Sequence, residues 1–502
     1  MSSRFRIDWI SPWIRFVAAF IVVLNLPFWI AARYLDTAPR GWINIEYILI
    51  GAVSSVLRRW ISWTLLVSAL IVDLIHVSTS FYFFTQHDFV HSIRYVVTLP
   101  ASRFGGNAAI LLGFAGALAW VSLILSPSKL PVSRRSFAAT FVLIAVLLAG
   151  ADVLGGTNAI FQPRNSGSSR VNLAGAPTVA ILKMTEEIVF RNKSEHDFHS
   201  VDSAIKRTLS TPDHSPGVPQ PLVNSSSPKH NLVLVLVESF GQFRDARYQE
   251  LFLKTFTTSV IAERYNLESG AVPFTGATLS GEFRELCGLW AGVLEHPDAV
   301  LLKRNCLSNR LREAGYETTA LHGLTGYMFD RVNLYPELGF THSIFREQLS
   351  DQSRFHDCRG AFTGICDSDI AGLIREKLVD TDSTKPQFIY WVTLDSHLPV
   401  PRSRLPLPCG EGDALIRSAD ICDWMAVLQN TLAQIAGVAT APDITPTEFV
   451  IVGDHAPPFL LTSLRQQFSG TVVPYIHLLP KTTSIATTQM KAQPRHSSTL
   501  EP

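Results

Sequence analysis

Long apolar runs fill the first third of the chain and are almost absent from the rest. A helix needs about 20 apolar residues to cross the hydrocarbon core of a bilayer. Four stretches reach this length, at about 13–33, 60–84, 107–126 and 136–156. A fifth, 43–57, is shorter and carries Glu46, so it is either a span or a re-entrant piece. We therefore predict an N-terminal all-α transmembrane domain of about five helices over residues 1–156.

The basic residues predict which side of the membrane the remainder occupies. Cytoplasmic segments carry an excess of Lys and Arg. With five spans and an inside N-terminus, seven basic residues lie inside (Arg4, Arg6, Arg58, Arg59, Lys129, Arg134 and Arg135) and four outside (Arg33, Arg40, Arg94 and Arg103). An odd number of spans then places residues 157–502 outside the cytoplasmic (inner) membrane, on the periplasmic side.

The six cysteines agree with an exported domain, because all lie in the C-terminal part. An even number in such a domain suggests disulfides. Pairing between sequence neighbours closes the shortest loops and predicts Cys287–Cys306, Cys358–Cys366 and Cys409–Cys422. Six reduced, buried thiols are the alternative, and a zinc cluster is disfavoured because no CxxC pair occurs. The net charge of +1 argues against a nucleic-acid partner.

The outer part divides into a connector, a folded domain and a tail. Residues 157–230 form the connector, in which 178–191 have the pattern of an amphipathic helix near the membrane surface and 208–230 are a Pro/Ser-rich linker. Residues 231–481 alternate strand-like runs with helical patterns, which predicts an α/β domain with a mainly parallel central sheet. The polar tail, 482–502, is predicted to be disordered.

Four apolar runs of this domain stop at polar residues. VLVLV runs into Glu238, ETTAL into His322, FIYWVTL into Asp395, Ser396 and His397, and EFVIVG into Asp454 and His455. The carboxyl ends of parallel strands meet at one edge of a sheet, where ligands bind. One such ending also fits a strand that leaves the core and meets water, but four in one domain predict a site.

Glu238, Asp454 and His455 offer two carboxylates and an imidazole, a set that suits zinc or manganese. In FTGATLSGEFRELCGLW (274–290), apolar residues recur at helical spacing from Leu279 onward. Thr278 therefore lies at or near a helix N-terminus. It is either a simple N-cap, or a nucleophile whose alkoxide is stabilised by a metal and by the positive end of the helix.

Five segments carry a family resemblance: VESFG, GATLSGEF, LHGLTGYMFDRVNLYPELGF, TLDSHLP and GDHAPPF occur in this order. Together they resemble the alkaline phosphatase/sulfatase superfamily. More narrowly, they are similar to membrane-anchored phosphoglycerol transferases of the lipoteichoic acid synthase type and to the related phosphoethanolamine transferases. The resemblance implies one divalent metal ion, Mn²⁺ or Zn²⁺, held by Glu238, Thr278, Asp454 and His455, with Thr278 as the nucleophile.

The same resemblance implies four substrate-binding residues. Arg331 in MFDR matches the arginine that grips the substrate phosphate, and His322 and His397 match two active-site histidines. Phe329 stands where the synthases have Trp, so a ring remains to stack under a headgroup but the indole N–H is lost. The alternatives are that Arg331 is a surface salt-bridge partner and that the two histidines are satisfied core residues. Asp330 and Asp395 either orient the site residues or are simply solvated.

The implied reaction moves a phospholipid headgroup, with phosphoglycerol favoured, through a phospho-threonine intermediate onto a glycan or glycolipid hydroxyl. A phosphoethanolamine transferase is the alternative that the six cysteines bring closer. A phosphodiesterase or phosphatase would use water as the acceptor, and a degenerate anchored scaffold of envelope polymer export would have no activity. A formylglycine sulfatase is excluded because no CxPSR-like segment occurs.

Overall fold

The computed structural model describes residues 12–34, 41–54, 56–81, 101–125, 133–154, 173–179, 230–274, 276–288, 306–379, 385–401, 418–459 and 461–481. Most of the predicted amphipathic helix at 178–191, the Pro/Ser-rich linker before His230 and the tail from 482 lie outside these ranges.

The described residues of the N-terminal part are helical apart from one short strand. Its elements are the α-helix Pro12–Val17, the π-helical turns Ala18–Val23, and the α-helices Leu24–Tyr34, Ile45–Ser54, Arg59–Phe81, Ala101–Leu125 and Arg134–Leu154. They pack around a core of their own that includes Phe16, Phe20, Tyr47 and Phe141. Phe16 and Phe141 stack with ring centroids 3.5 Å apart.

The described segments contain two helices that are long and apolar enough to span a membrane, Pro12–Ile30 and Arg59–Val77. The prediction of about five spans is therefore confirmed only in part. The helix Ile45–Ser54 has 10 residues, and at 1.5 Å per residue it reaches about half of the hydrocarbon core. The apolar stretches Leu112–Ile124 and Arg135–Ala151 also fall short of a full span.

A short parallel pairing ties the connector to the helices. Strand β1 (Ile43–Asn44) pairs with β2 (Ala174–Gly175). Close by, the Glu46 carboxylate accepts the backbone N–H of Thr178 at 2.7 Å and its hydroxyl at 2.9 Å. Glu46 therefore binds the connector.

The outer domain is built on a seven-stranded sheet with the order β4–β11–β10–β3–β9–β5–β6. Its strands are β3 (Asn231–Val237), β4 (Tyr265–Pro273), β5 (Glu317–His322), β6 (His342–Ile344), β9 (Gln387–Val392), β10 (Thr447–Gly453) and β11 (Val472–Pro480). The strands β10, β3, β9, β5 and β6 are mutually parallel. Strand β11 runs antiparallel to β10, and β4 runs antiparallel to β11. The prediction of a mainly parallel sheet is confirmed, with an antiparallel extension at one side that makes it mixed.

Helices cover this sheet on both faces, which is why all seven residues of β3 are buried and read as a continuous apolar run. The described helical elements are Ala246–Leu253, Lys254–Phe256, Ser259–Arg264, Thr278–Cys287, Leu307–Glu313, Met328–Asp330, Arg331–Leu338, Arg346–Leu349, Asp367–Val379, Ala419–Thr440 and Thr462–Arg465. A hairpin of β7 (Asp357–Arg359) and β8 (Thr363–Ile365) lies beside the sheet.

Two of the three predicted disulfides are present. Cys287 is bonded to Cys306, and Cys358 to Cys366. Cys422 is also disulfide-bonded, and its predicted partner Cys409 lies outside the described residues. The described cysteines include no free thiol, so the alternative of six reduced thiols is wrong.

Candidate active site and metal centre

Four adjacent parallel strands deliver the predicted site residues to one edge of the sheet. Glu238 follows β3, Asp454 and His455 follow β10, and His322 ends β5. The β9 strand runs on into the segment that carries His397. Because β10, β3, β9 and β5 are neighbours and point the same way, residues more than 200 positions apart in sequence converge at their carboxyl ends.

The predicted metal ligands lie together. One ligand atom each from Glu238, Asp454 and His455 lies within 4.8 Å of the others, and all three residues are buried. The Thr278 hydroxyl donates to Glu238 Oε2 at 3.1 Å. Thr278 is the first residue of its helix and Ala277 is the N-cap. The reading of Thr278 as a simple N-cap is therefore wrong, since its hydroxyl binds Glu238 and not the helix backbone.

A tight turn after β3 aims Glu238 at the site. Ser239 has a positive φ of 58°, a strained conformation for a residue with a side chain. Its backbone N–H donates to Asp454 Oδ1 at 2.7 Å and its hydroxyl donates to Glu238 Oε1 at 2.9 Å. The segment that follows β9 supports the same turn, because the Ser396 hydroxyl donates to the Glu238 carbonyl at 2.6 Å.

The donor atoms fit a divalent cation. His455 Nδ1 donates to the Ala456 carbonyl at 2.9 Å, which leaves Nε2 as the acceptor nitrogen. That Nε2 lies 3.3 Å from Asp454 Oδ2 and 3.5 Å from Glu238 Oε1. Asp454 Oδ2 is buried and accepts no hydrogen bond from any residue in the described ranges. The lone pairs of these carboxylate oxygens and of His455 Nε2 face one another with no proton between them, as the ligand atoms of a metal site with O and N ligands do.

The acidity of the two carboxylates also reflects crowded negative charge. Burial, followed by the Glu238 charge, raises the pKa of Asp454 to about 7. Burial acts to raise the pKa of Glu238 as well, but His397, His455 and the Ser239 hydroxyl outweigh it and bring that pKa below its usual value. A bound cation would offset both the burial and the Glu238 charge that raise the pKa of Asp454.

Arg331 is buried and not on the surface, so its reading as a surface salt-bridge partner is wrong. Its side chain is 1% exposed. Its Nε and Nη2 donate to Glu282 Oε1 at 2.9 and 2.6 Å. The Phe329 ring centroid lies 5.0 Å from the guanidinium carbon. Phe329 is itself buried, with a positive φ of 58°.

The two predicted histidines differ in exposure. His322 is buried, and its Nδ1 donates to the Val392 carbonyl at 2.9 Å. Burial, and then the nearby Arg331 charge, lower the pKa of His322 to about 3, so this imidazole is neutral at neutral pH. His397 is half-buried, its Nδ1 donates to the Leu398 carbonyl at 2.8 Å, and its ring packs edge-on against Phe362. Because Nδ1 is the donor nitrogen in each ring, Nε2 is the acceptor nitrogen of both neutral imidazoles.

Several residues that support the site carry no signal in the sequence pattern. Glu282 binds Arg331. Arg284 donates to the carbonyls of Gly453 at 2.6 Å and Asp454 at 3.2 Å. These two hydrogen bonds of Arg284 fix the Thr278 helix on the end of β10. Buried Asp367 accepts the backbone N–H groups of Leu394 and Asp395, both at 3.0 Å. The spacing of Glu282 one helical turn after Thr278 is the one local hint, because residues four apart share a helix face.

Asp395 and Asp330, the two acidic residues whose roles the sequence left open, also have hydrogen-bond partners. Asp395 accepts the backbone N–H of Asp367 at 3.2 Å, so it helps to hold the segment that leads to His397. Asp330 is half-buried and accepts the Asn333 side-chain amide at 2.8 Å.

Comparison with known proteins confirms the resemblance at the superfamily level. Residues 230–413 match the Sulfatase family model. No sequence among curated proteins matches the chain. Its structure resembles the integral membrane lipooligosaccharide phosphoethanolamine transferase A (EptA) from Neisseria meningitidis, with 13% identity, a TM-score of 0.50, and coverage of 94% of this chain and 88% of that one.

Two further solved structures overlap a smaller share of the chain. The lipoteichoic acid synthase LtaP from Listeria monocytogenes is 13% identical, with a TM-score of 0.39 and coverage of 55% of this chain and 71% of that chain. The phosphoglycerol transferase GacH from Streptococcus pyogenes, in complex with sn-glycerol-1-phosphate, is 15% identical, with a TM-score of 0.36 and coverage of 56% and 72%. The likeness to EptA shows a shared fold over nearly the whole chain.

Proposed function

We propose that this protein is a membrane-bound, divalent-metal-dependent transferase that moves a phospholipid headgroup onto a hydroxyl of a glycan or glycolipid. Phosphoglycerol is the favoured headgroup. The observation that carries the proposal is the position of the Thr278 hydroxyl. It stands at the start of a helix, 3.1 Å from Glu238, beside the buried pair Asp454 and His455.

The first step is displacement at phosphorus. Thr278 Oγ forms a bond to the phosphorus of the lipid, and the bond from phosphorus to the diacylglycerol oxygen breaks. The hydroxyl proton leaves along the existing hydrogen bond to Glu238 Oε2, and the departing oxygen takes a proton from the solvent side. The positive end of the helix that begins at Thr278 favours the negative phosphate.

The second step returns the enzyme to its starting state. An acceptor hydroxyl attacks phosphorus, the Thr278 Oγ–phosphorus bond breaks, and Thr278 Oγ recovers a proton while the acceptor loses one. A divalent ion, Mn²⁺ or Zn²⁺, held by Glu238, Thr278, Asp454 and His455 would lower the pKa of the threonine hydroxyl and stabilise charge on the phosphate oxygens.

Four residues are proposed to bind the donor. Arg331 Nη1 is buried and has no hydrogen-bond partner within the described part of the chain, so it is available to a phosphate oxygen. His322 and His397 present Nε2 nitrogens, and the Phe329 ring holds the Arg331 guanidinium from one side. Because the Phe329 ring is buried against Arg331, its proposed role is to hold the arginine and not to stack under a headgroup.

The membrane part explains the choice of donor, because a phospholipid cannot leave the bilayer. We propose that the chain crosses the inner membrane several times and holds residues 231–481 at its periplasmic face. The apolar helices Pro12–Ile30 and Arg59–Val77 support a membrane location, and the disulfides support an oxidising compartment.

A phosphoethanolamine transferase is the second candidate, and the disulfides favour it. The pairs Cys287–Cys306 and Cys358–Cys366 bracket the Thr278 helix and the hairpin beside His397. A hydrolase would share the first step and differ only in using water for the second.

The decisive experiment is to look for the headgroup on Thr278. The purified full chain, loaded with Zn²⁺ or Mn²⁺, is incubated separately with phosphatidylglycerol and phosphatidylethanolamine, and the peptide that contains Thr278 is analysed by mass spectrometry. We expect a glycerophosphate adduct with the first lipid and release of diacylglycerol. A phosphoethanolamine adduct alone would instead select the second candidate.

The control is Thr278→Ala, which should fold normally because the hydroxyl caps no helix. It should lose both the adduct and the release of diacylglycerol. Full lipid cleavage by this variant would show that a water molecule attacks phosphorus, and the transferase proposal would be wrong.

A further inference from the structure

The Thr278 helix carries a buried acidic residue, Glu282, which has no part in the proposed chemistry. Its side chain is 1% exposed. Glu282 Oε1 accepts Nε and Nη2 of Arg331, and Oε2 accepts the Tyr335 hydroxyl at 2.6 Å. A buried carboxylate with three donors is fully satisfied and therefore held in one position.

These contacts fix the arginine in one orientation. Two of its three nitrogens are directed at Glu282, and the Phe329 ring lies 5.0 Å from the guanidinium carbon. The remaining nitrogen, Nη1, is buried with no partner in the ranges that the structure describes. One donor group of Arg331 thus remains for a ligand.

Glu282 also cancels the charge of that arginine. The arginine of the Thr278 helix itself, Arg284, is paired with its neighbour Glu285. His322 adds no charge, since burial and Arg331 lower its pKa to about 3. When a divalent ion balances the charges of Glu238 and Asp454, the net charge of all these groups is zero.

A site of this kind treats two classes of phosphate ester differently. A phosphodiester carries one negative charge and two non-bridging oxygens, whereas a monoester dianion carries a second charge on a third terminal oxygen. Burying that extra charge without a counter-charge is costly. An arginine whose charge is cancelled and that has one free donor group therefore suits the monoanionic diester better than the monoester dianion.

We infer that Glu282 is a positioning and specificity-determining residue, which fixes Arg331 and cancels its charge so that the site accepts monoanionic phosphodiesters and rejects phosphomonoester dianions. This inference rests on the proposed function, because it assigns the ester class at the same site.

The test compares cleavage of bis(p-nitrophenyl) phosphate and p-nitrophenyl phosphate by the full-length, metal-loaded protein. Glu282→Gln keeps the shape of the side chain and frees the charge of Arg331. We expect the ratio of kcat/KM for the monoester to that for the diester to rise at least about tenfold, as a full charge within a few ångströms of the phosphate requires. The matched control is Tyr335→Phe, which removes a hydrogen bond to the same carboxylate and leaves its charge, so the ratio should stay at the native value.

A second comparison applies if Glu282→Gln does not fold. Arg331→Met leaves Glu282 charged, and Arg331→Met/Glu282→Gln removes both charges, a replacement that buried ion pairs tolerate. The ratio of monoester to diester cleavage should be lower in the single variant than in the double. Equal ratios in these two variants, or a native ratio in Glu282→Gln, would overturn the inference.

Binding separates this inference from the proposed function. Without metal, inorganic phosphate should raise the melting temperature of Glu282→Gln more than that of the native chain, and diethyl phosphate should not. If the native protein cleaves neither ester, the proposed function fails, while a missing difference in binding shows that Glu282 does not set the ester class.

Discussion

Asp454 has two oxygens in different surroundings. Oδ1 accepts the backbone N–H groups of Ser239 at 2.7 Å and His455 at 2.6 Å, so it fixes the two strand ends relative to each other. Oδ2 is buried beside His455 Nε2 and receives no hydrogen bond from the described residues. The first oxygen stabilises the turn and the second is left for a cation.

We expect Asp454→Asn to lose metal and keep its fold. The amide can still accept the two backbone N–H groups through its oxygen, but it offers no anionic ligand. Metal affinity should fall by at least about 10–100-fold, the loss typical even of residues that only support a ligand. Metal content after dialysis measures this, with the exposed Asp443→Asn as the control. Equal metal in the Asp454 variant and the native chain would place the ion elsewhere.

The pair Asp367 and Asp395 makes stability depend on pH. Burial, and then the Asp395 charge, raise the pKa of Asp367 well above its ordinary value of 3.8. Burial also raises the pKa of Asp395. The folded chain therefore keeps protons that the unfolded chain releases, and the free energy of unfolding that this pair contributes falls as pH rises above about 3.8.

Asp395→Asn should reverse part of this dependence. The Asn oxygen can still accept the Asp367 N–H, but the like charge is gone. The variant should gain stability relative to the native chain as pH rises from about 4 to 8, because Asp367 then ionises at a lower cost. Denaturation midpoints at several pH values measure the difference. A difference that stays constant across this range would contradict the coupling.

At the scale of elements, the helix Thr278–Cys287 brings Thr278, the proposed nucleophile, to the sheet by close approach. A Cβ at Gly281 would lie 3.1 Å from both Cα and Cβ of Asp454. Arg284 bonds the carbonyls at the end of β10, and Cys287 ends the helix with a disulfide to Cys306. The helix is thus attached to the chain at its middle and at its end.

Gly281→Val should push the helix away from Asp454. We expect a loss of about 1–3 kcal/mol in the free energy of unfolding, as overpacking of a close contact costs, together with weaker metal binding. The control is Gly372→Ala in the helix Asp367–Val379, where a Cβ would meet nothing within 4 Å. That variant should gain about 0.5–1 kcal/mol, because Ala is the better helix former. A Gly281→Val protein as stable as the native one would show that the helix is free to move.

At the scale of the whole molecule, the residues that the structure describes form two separate hydrophobic cores. One lies among the N-terminal helices, and the other surrounds the seven-stranded sheet. The acidic residues of the helical core bind neighbours, as Asp73 accepts the Asn44 amide at 3.1 Å and the Tyr47 hydroxyl at 2.8 Å. Two cores of this kind fit a membrane part that anchors a separately folded outer domain.

We expect the outer domain to lie in the periplasm. A reporter that is active only in the cytoplasm, fused after Lys481, should give no signal, whereas the same reporter in the segment that contains Lys129 should be active. The physical basis is the excess of Arg and Lys on the predicted inner side together with the disulfides of the outer domain. A strong cytoplasmic signal after Lys481 would overturn both the topology and the proposed lipid donor.

Local pattern was enough to predict the sheet edge and the residues that meet there. The run ahead of Glu238 is apolar without a break because β3 is covered on both faces, and the runs ahead of His322, His397 and Asp454 stop where the core stops. The periodicity after Leu279 likewise placed Thr278 at a helix start. The apolar pattern of each strand or helix reflects the burial of that element, so predictions that depend only on burial agree with the structure.

Contacts between elements were decided by the tertiary structure. Glu282 and Arg331 are 49 positions apart, and the pattern of neither segment says that the two charges are buried against each other. The same is true of Asp367 beneath the His397 segment and of Arg284 on the end of β10. Which charged side chains meet depends on the path of the chain between them and on the desolvation that only a closed core imposes. For that reason the sequence alone pointed to the proposed reacting groups, and the fold alone showed which side chains hold them and neutralise their charge.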